Sequence, residues 1–252
     1  MQPMKQILNA MGATADPKVA ARAADIQTRQ TVKRKQVSRG EIEGRWKYWH
    51  QQCFDLFADK GLDPDADVAF KLACFYADYK RWHAGEYFGH TFAKPKGLFI
   101  YGPYGSGKTE AVQAIVLNLR ETIRAKFLIR HSRDLIQDYC TKDEVLEYLR
   151  HYDQNADVFL DDVGIEGCGI RYGVKWSIGD YIQTRYDRCT RFDGGQRKIM
   201  YTTLITSNLA NAQEIEAKYG TRTLSTLVDI CDFVPYARAD RRLARLVDCR
   251  SQ

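Results

Sequence analysis

Eight consecutive residues, Gly102–Thr109, have the types and spacing of a loop that holds nucleotide phosphates. The run reads GPYGSGKT, with three glycines ahead of a lysine and a threonine. Glycines let backbone N–H groups curl around a phosphate without obstruction by side chains. Lys108 can reach the β- and γ-phosphates, and the Thr109 hydroxyl can bind Mg²⁺. The predicted phosphate-binding residues are Gly102, Pro103, Tyr104, Gly105, Ser106, Gly107, Lys108, Thr109 and Glu110.

The sequence on either side of this loop indicates a strand that leads into a helix. Residues 97–101 form a short, mostly apolar run, and apolar residues after the loop, from Val112 to Leu119, recur at helical spacing. A helix that begins at the loop would direct the positive end of its dipole at the phosphates.

A second short apolar run, Val158–Leu160, is followed directly by Asp161 and Asp162. An aspartate at such a position holds Mg²⁺ in many ATPases, and the next residue, usually a glutamate, polarises the attacking water. Two aspartates at a strand end also occur as a turn or a helix cap. The position about fifty residues after a phosphate loop favours the catalytic interpretation. Because aspartate is shorter than glutamate, we expect slow hydrolysis.

A third apolar run, from Met200 to Thr206, ends in a polar cluster that includes Asn208. If this strand lies between the strands that carry the phosphate loop and Asp161, Asn208 would face the γ-phosphate and could position water. Asparagine is also an ordinary turn residue after a strand.

Strand and helix patterns alternate along the rest of the chain, which predicts an α/β fold with a parallel sheet covered on both faces. Helices are expected at 68–82, 145–152, 177–187 and 211–218, strands at 125–130, 157–161, 199–206 and 232–234, and a loop at 192–195.

The composition of the chain restricts which partners and which cellular compartment are expected. The chain has 252 residues and a net charge of +6, and residues 1–50 hold ten basic and four acidic residues. We therefore expect a basic extension over 1–66, which binds a partner or DNA, and a nucleotide-binding domain over 67–252.

The seven cysteines are odd in number and form no CxxC pair, and no apolar run reaches the ~18 residues of a membrane span. Both features favour a cytoplasmic protein that is not in a membrane.

The basic extension contains two groups of candidate contacts. Its charges, at Lys33, Arg34, Lys35 and Arg39, could contact nucleic-acid phosphates or remain solvated. Its aromatic residues, at Trp46, Tyr48 and Trp49, could stack on bases, fill a groove on a partner, or pack against the nucleotide-binding domain.

Five segments together resemble one family, the DnaC-like helicase loaders and IstB-like transposition helpers of the AAA+ superfamily. They are GPYGSGKT, VFLDDVG at 158–164, the helix end at 184–187, TTLITSNL at 202–209, and Tyr219–Arg222. The resemblance covers about residues 67–245, and only the first segment is specific by itself.

The resemblance implies a three-layer P-loop fold of the additional-strand (ASCE) class, with strand order 5-1-4-3-2. It also implies that Asn208 reads the γ-phosphate and that Arg222 completes the site of a neighbouring subunit, so that hydrolysis would require a homo-oligomer. Arg242, or else Arg241, matches a second sensor arginine. Since the sequence ends about ten residues later, no C-terminal lid is expected.

Four functions remain open from the sequence. The first is an ATPase that binds single-stranded DNA and loads a replicative helicase, with ATP and Mg²⁺ as ligands. The second is a helper that binds duplex DNA and directs a transposase. The third is a scaffold that binds ATP and scarcely hydrolyses it because of Asp162. The fourth, a small-molecule kinase, is disfavoured by the polar end of the Asn208 strand, by the Gly-x-Arg element at 220–222 and by the lack of an arginine-rich lid insertion. A sheet with the Asp161 strand directly beside the phosphate-loop strand would favour it again.

Overall fold

The computed structural model describes residues 35–36, 38–87, 94–141, 156–193 and 196–236. The described helices are α1 (Arg39–Asp59), α2 (Ala66–His83), α3 (Lys108–Ile123), α4 (Ser132–Thr141), α5 (Ile178–Cys189), α6 (Ala212–Tyr219) and α7 (Thr221–Ile230). The described strands are β1 (Lys35–Gln36), β2 (Glu86–Tyr87), β3 (Gly97–Tyr101), β4 (Phe127–His131), β5 (Asp157–Val163), β6 (Gly169–Arg171), β7 (Val174–Trp176), β8 (Thr190–Asp193), β9 (Gln196–Ile199), β10 (Thr203–Ser207) and β11 (Cys231–Pro235).

Five parallel strands form the central sheet in the order β11-β3-β10-β5-β4. Counted along the chain, this is the order 5-1-4-3-2, so the predicted topology is confirmed. Strand β10 lies between β3 and β5, and its Ile205 is paired with Phe99 on one side and Leu160 on the other. The arrangement that would favour a small-molecule kinase, with β5 directly beside β3, is therefore not the one observed.

The sheet is covered by helices on both faces, which gives the predicted three layers. One apolar cluster joins α1, α2 and α3 to one face, and a second joins α4, α5, α6 and α7 to the other. The central strands are buried along almost their whole length. Burial on both faces explains why they consist of apolar runs without alternation.

Helix α1 packs against the nucleotide-binding domain. Its Cys53 and Phe57 are buried in the same cluster as α2 and α3, and the indole of Trp46 donates a hydrogen bond to Asp78 of α2 at 3.1 Å. Tyr48, in contrast, is 61% exposed. Residues 39–59 therefore contribute to the core of the domain, and the proposed division at residue 66 remains a prediction.

Several helices begin close to where the sequence predicts, because the residues that cap them bond within the first helical turn. Asp65, Ser177 and Asn211 each accept a hydrogen bond from a backbone N–H in the first turn of α2, α5 and α6. Helices α4 and α7 were not predicted.

The loop expected at 192–195 was wrong in part, because Phe192 and Asp193 belong to strand β8. Strand β8 ends at Asp193, β9 begins at Gln196, and Thr190 pairs with Ile199 across the ladder. The expected strand at 199–206 is accordingly divided between β9 and β10. Gly194 and Gly195 lie outside the described residues.

Some predictions fall outside the described residues. They are the helix at 145–152, the basic residues Lys33 and Arg34, the sensor arginines Arg241 and Arg242, and the absence of a lid. Among the described helices, none is both long enough and apolar enough to cross a membrane.

Candidate nucleotide-binding site

The phosphate loop connects the end of β3 to the start of α3 at the carboxyl edge of the sheet. Gly102 has φ +146°, and a Cβ atom there would lie 2.2 Å from the carbonyl oxygen of Tyr236. Gly107 has φ +96° and directly precedes α3. Both positions require glycine, one for space and one for backbone conformation. The loop therefore has the open backbone expected of a phosphate cradle, above a helix N-terminus.

Lys108 is buried at the base of this loop. Its Nζ donates to the carbonyl oxygens of Gly102 and Pro103 at 3.0 and 2.7 Å, and to Oδ1 of Asn208 at 3.1 Å. Burial lowers the pKa of Lys108 to about 8, although the nearby Asp162 and Asp161 act to raise it. The cation is thus held in place by neutral acceptors, which a phosphate can replace.

Asp161 and Thr109, the two residues predicted to bind Mg²⁺, are in direct contact. Oδ1 of the buried Asp161 accepts hydrogen bonds from the hydroxyls of Thr109, at 2.8 Å, and of Thr206. Its other oxygen lies 3.3 Å from Nδ1 of His131, at the end of β4. The carboxylate is therefore oriented from three sides.

These oxygen atoms fit Mg²⁺. This ion usually takes one or two protein oxygens and keeps substrate phosphates and waters as its other ligands. Within the described ranges, no group of three or more His, Cys, Asp or Glu side chains could hold a metal by itself. Thr109 and Asp161 would hold the ion, which when bound would neutralise charge on the phosphates.

A β-bulge brings the second aspartate to the same site. Three residues of β10, from Ile205 to Ser207, are paired against four of β5, from Leu160 to Val163. The extra residue falls at Asp162, whose φ of +57° is left-handed. In a regular strand consecutive side chains point to opposite faces, whereas a bulge redirects them. As a result, the carboxylates of both aspartates line one cleft.

Asp162 is held through its backbone and its side chain. Its N–H donates to Oγ1 of Thr206 at 3.2 Å, and its carbonyl accepts from the Ser132 hydroxyl at 2.7 Å. Its Oδ1 accepts from Nδ2 of Asn208 at 3.0 Å. Asn208 therefore contacts both Lys108 and Asp162, as expected if it acts beside the γ-phosphate.

The cleft between these groups has a volume of about 570 Å³. Most of the predicted loop residues line it, including Tyr104 and Glu110. Its remaining wall is the turn between α1 and α2, at 60–62, which sequence reasoning missed. No motif marks this turn, because its place in the cleft depends on how α1 packs against the domain.

Arg222 is not part of this cleft. It is exposed in the first turn of α7, and it makes no hydrogen bond or ion pair with any residue that the structure describes. The structure thus brings together the predicted loop, Asp161, Asp162 and Asn208, and leaves Arg222 available to another molecule.

Comparisons with known proteins agree with this architecture. No protein-family model matches the chain. A crystal structure of DnaI matches over 72% of this chain and 88% of the DnaI chain, with 22% sequence identity and a TM-score of 0.50. A crystal structure of the DnaC helicase loader covers 70% and 94%, with 18% identity and a TM-score of 0.47.

The fold is that of AAA+ P-loop proteins. Among curated proteins, the 26S proteasome subunit RPT4 of Saccharomyces cerevisiae is 30% identical over 119 residues, or 43% of this chain. The chain spans only 26% of the length of that relative. The likeness to DnaI, the sheet order and the phosphate loop confirm the resemblance at the level of the AAA+ fold.

The lowered pKa of Lys108 predicts how nucleotide affinity depends on pH. Above pH 8 the nucleotide-free lysine loses its proton, and bound phosphates must restore it. We expect the dissociation constant of a fluorescent ATP analogue to rise between pH 7.5 and 9.5, approaching about tenfold per unit above pH 8. Fluorescence anisotropy would measure it.

The matched control is Lys108→Arg, whose guanidinium stays charged over this range. Its affinity, although different in magnitude, should be nearly constant with pH. A dissociation constant that does not change with pH for the wild-type chain would show that Lys108 keeps its proton or does not contact the phosphates.

Proposed function

We propose that the chain binds ATP with Mg²⁺ and hydrolyses it slowly, at a site completed by a second copy of the chain, in the service of DNA replication. The observation that carries the proposal is the set of contacts around Asn208. Its side-chain amide joins Lys108 of the phosphate loop to Asp162, beside the Asp161–Thr109 pair. These are the groups that phosphoryl transfer to water needs, collected at one edge of a sheet.

Each group has a role in this scheme. The loop N–H groups and Lys108 bind the β- and γ-phosphates and stabilise their charge. Asn208 and Asp162 orient a water molecule against the γ-phosphorus, and Asp162 accepts its proton. The bond from phosphorus to the bridging oxygen breaks as the bond to the water oxygen forms, so that ADP and phosphate leave. In the same scheme, Arg242 would contact the nucleotide as a second sensor.

A second copy of the chain would supply Arg222. Its exposure in α7 and its absence from the cleft support a role in trans. An arginine placed on the transferring phosphoryl group accelerates hydrolysis by about 10³ to 10⁵ in related mechanisms. Hydrolysis would then depend on assembly.

This arrangement predicts complementation between two inactive chains. Arg222→Ala keeps the phosphate loop but lacks the arginine, and Lys108→Ala lacks phosphate binding but keeps the arginine. Each variant alone should release phosphate only at the background rate. An equal mixture of the two should recover a substantial part of the wild-type rate. Wild-type specific activity should also rise with protein concentration.

Arg188→Ala, at an exposed position of α5, provides a surface control and should leave activity unchanged. Full activity of Arg222→Ala alone, or a rate that does not depend on concentration, would mean that the site is complete in one chain.

Helicase loading is the biological role that we favour. It is supported by the resemblance of five ordered segments to helicase loaders and by the basic character of the chain, with a net charge of +6. Such a protein would bind single-stranded DNA, whose phosphates attract basic residues in a salt-dependent way. The transposition helper remains the alternative within the same fold.

DNA form and protein partner separate these two roles. We expect fluorescently labelled single-stranded DNA to bind more tightly than duplex in the presence of ATP and Mg²⁺, and affinity to fall with salt. A pull-down from the host should recover a replicative helicase. Removal of residues 1–34, which retains α1 and its Ser38 cap, should abolish recovery and spare ATP binding. Preference for duplex DNA and recovery of a transposase would support the helper instead.

The contact between Asp162 and Asn208 favours one further candidate, a nucleotide-gated scaffold. With its shorter side chain tied to Asn208, Asp162 can leave water poorly placed, so that bound ATP would act as a long-lived signal. In that case Asp162→Glu should raise the single-turnover rate by about tenfold or more, within the range of general-base effects, and Asp162→Asn should lower it. A decrease in both variants would exclude the scaffold, because it would show that Asp162 is already the better residue for placing water.

A further inference from the structure

A set of hydrogen bonds joins the loop after β5 to the end of α6. Lys218 donates to the carbonyl oxygens of Gly164 and Glu166 at 2.6 and 2.9 Å. Glu166 accepts from the N–H of Gly164 at 2.8 Å with one carboxylate oxygen, and from the Tyr219 hydroxyl with the other. We call Glu166, Lys218 and Tyr219 the latch.

The latch connects two parts of the proposed ATPase. On one side, the loop begins directly after Val163, at the end of the strand that carries Asp161 and Asp162. On the other side, Tyr219 is followed by Gly220 and then by α7, whose second residue is Arg222. Only two residues, Gly220 and Thr221, therefore separate the latch from the arginine that we propose to act in trans.

The latch is a firm connection because its central carboxylate is buried. Glu166 is 4% exposed, and both of its oxygens are hydrogen bonded. Burial, together with the Glu166 carboxylate, raises the pKa of Tyr219, so the phenol keeps its proton and donates. Loss of the Tyr219 hydroxyl would leave one buried oxygen of the Glu166 carboxylate without a hydrogen-bond partner, which destabilises the folded chain.

The loop is also fixed against the nucleotide site. Gly164 has φ +109°, and a Cβ atom there would meet the Leu209 side chain at 2.6 Å. Leu209 directly follows Asn208. The loop thus packs under the segment that carries Asn208, while the latch ties it to α6.

Gly220, between α6 and α7, has φ +87° and ψ 159°, a conformation available almost only to glycine. Such a residue allows α7 to change direction from α6. The orientation of Arg222 then depends on where α6 ends, and the latch fixes that end.

We propose that Glu166, Lys218 and Tyr219 are positioning residues that set Arg222 for the nucleotide site of a neighbouring copy. This inference rests on the proposed function, in which Arg222 acts in trans. The latch residues do not line the nucleotide cleft, and they act on hydrolysis in the neighbour through the start of α7.

Mixed assemblies test the latch separately from the shared site. The acceptor chain is Arg222→Ala, which contains an intact phosphate loop. The reference donor is Lys108→Ala, which contains Arg222 and an intact latch. Three further donors combine Lys108→Ala with Tyr219→Phe, with Lys218→Met, or with Tyr76→Phe. Tyr76 is a matched control, because its buried hydroxyl makes a single hydrogen bond, to Asn118 at 2.6 Å, on the opposite face of the sheet.

We expect the reference donor and the Tyr76→Phe donor to restore hydrolysis equally. The Tyr219→Phe and Lys218→Met donors should lower the kcat of the mixture by about fivefold or more. The KM for ATP should not change, because every functional phosphate loop belongs to the acceptor. Circular dichroism on each donor would establish that it is folded, and Lys218, on the surface, provides a variant that should fold in any case.

The outcomes distinguish the two proposals. Equal rescue by all donors would overturn the latch and leave the shared site intact. Failure of the reference donor would overturn both the shared site and the latch. A change in KM without a change in kcat would also overturn the positioning role.

Discussion

The Asp161 carboxylate is the point on which the site depends. One of its oxygens accepts hydroxyl hydrogens from Thr109, in the first turn of α3, and from Thr206, near the end of β10. It can do so because β10 lies between the strands that carry the phosphate loop and Asp161. A buried carboxylate is stable only with such donors, so the same contacts that stabilise the charge also set the distance between loop and metal-binding group.

The opposite end of β5 is anchored in a similar way. Asp157 accepts from the Thr202 backbone N–H at 2.7 Å, from Lys94, and from the Tyr79 hydroxyl. Strand β5 is therefore bonded to the β10 segment through an aspartate at each end. The bulge at Asp162 follows directly after the second of these anchors, Asp161. The backbone N–H and carbonyl of Asp162 are not left without partners there, because they bond to Thr206 and Ser132.

Sequence reasoning reached the features that are encoded locally. The phosphate loop needs particular residues at fixed spacing, and the caps at Asp65, Ser177 and Asn211 act within one helical turn. The strand order came from the resemblance of ordered segments and not from any single one. In contrast, neither the bulge at Asp162 nor the contact of His131 with Asp161 has a signature in the chain, because both arise from pairing between distant strands.

Helix α7 and the turn at 60–62 were missed for the same reason, because both depend on contacts between distant parts of the chain. Helix α7 follows α6 with only Gly220 between them, and no helix was expected between residue 218 and the strand at 232–234. The role of the turn at 60–62 depends on the packing of α1 against α2 and α3. Packing of this kind is decided by the shape of the assembled core, and hydrophobic periodicity does not report it.

Asn208 has a position that explains how such a site could respond to its ligand. Its Oδ1 accepts from Lys108 and its Nδ2 donates to Asp162, so the amide links the group that binds phosphate to the group that would activate water. A triphosphate attracts Lys108 more strongly than neutral acceptors do, because a charged acceptor makes the stronger hydrogen bond. Under the proposed function, binding would therefore free the Asn208 oxygen to accept from the attacking water, while its Nδ2 keeps the hold on Asp162. The same side chain that stabilises the nucleotide-free arrangement would then become part of the catalytic one, so a single amide couples occupancy of the phosphate loop to the placement of water.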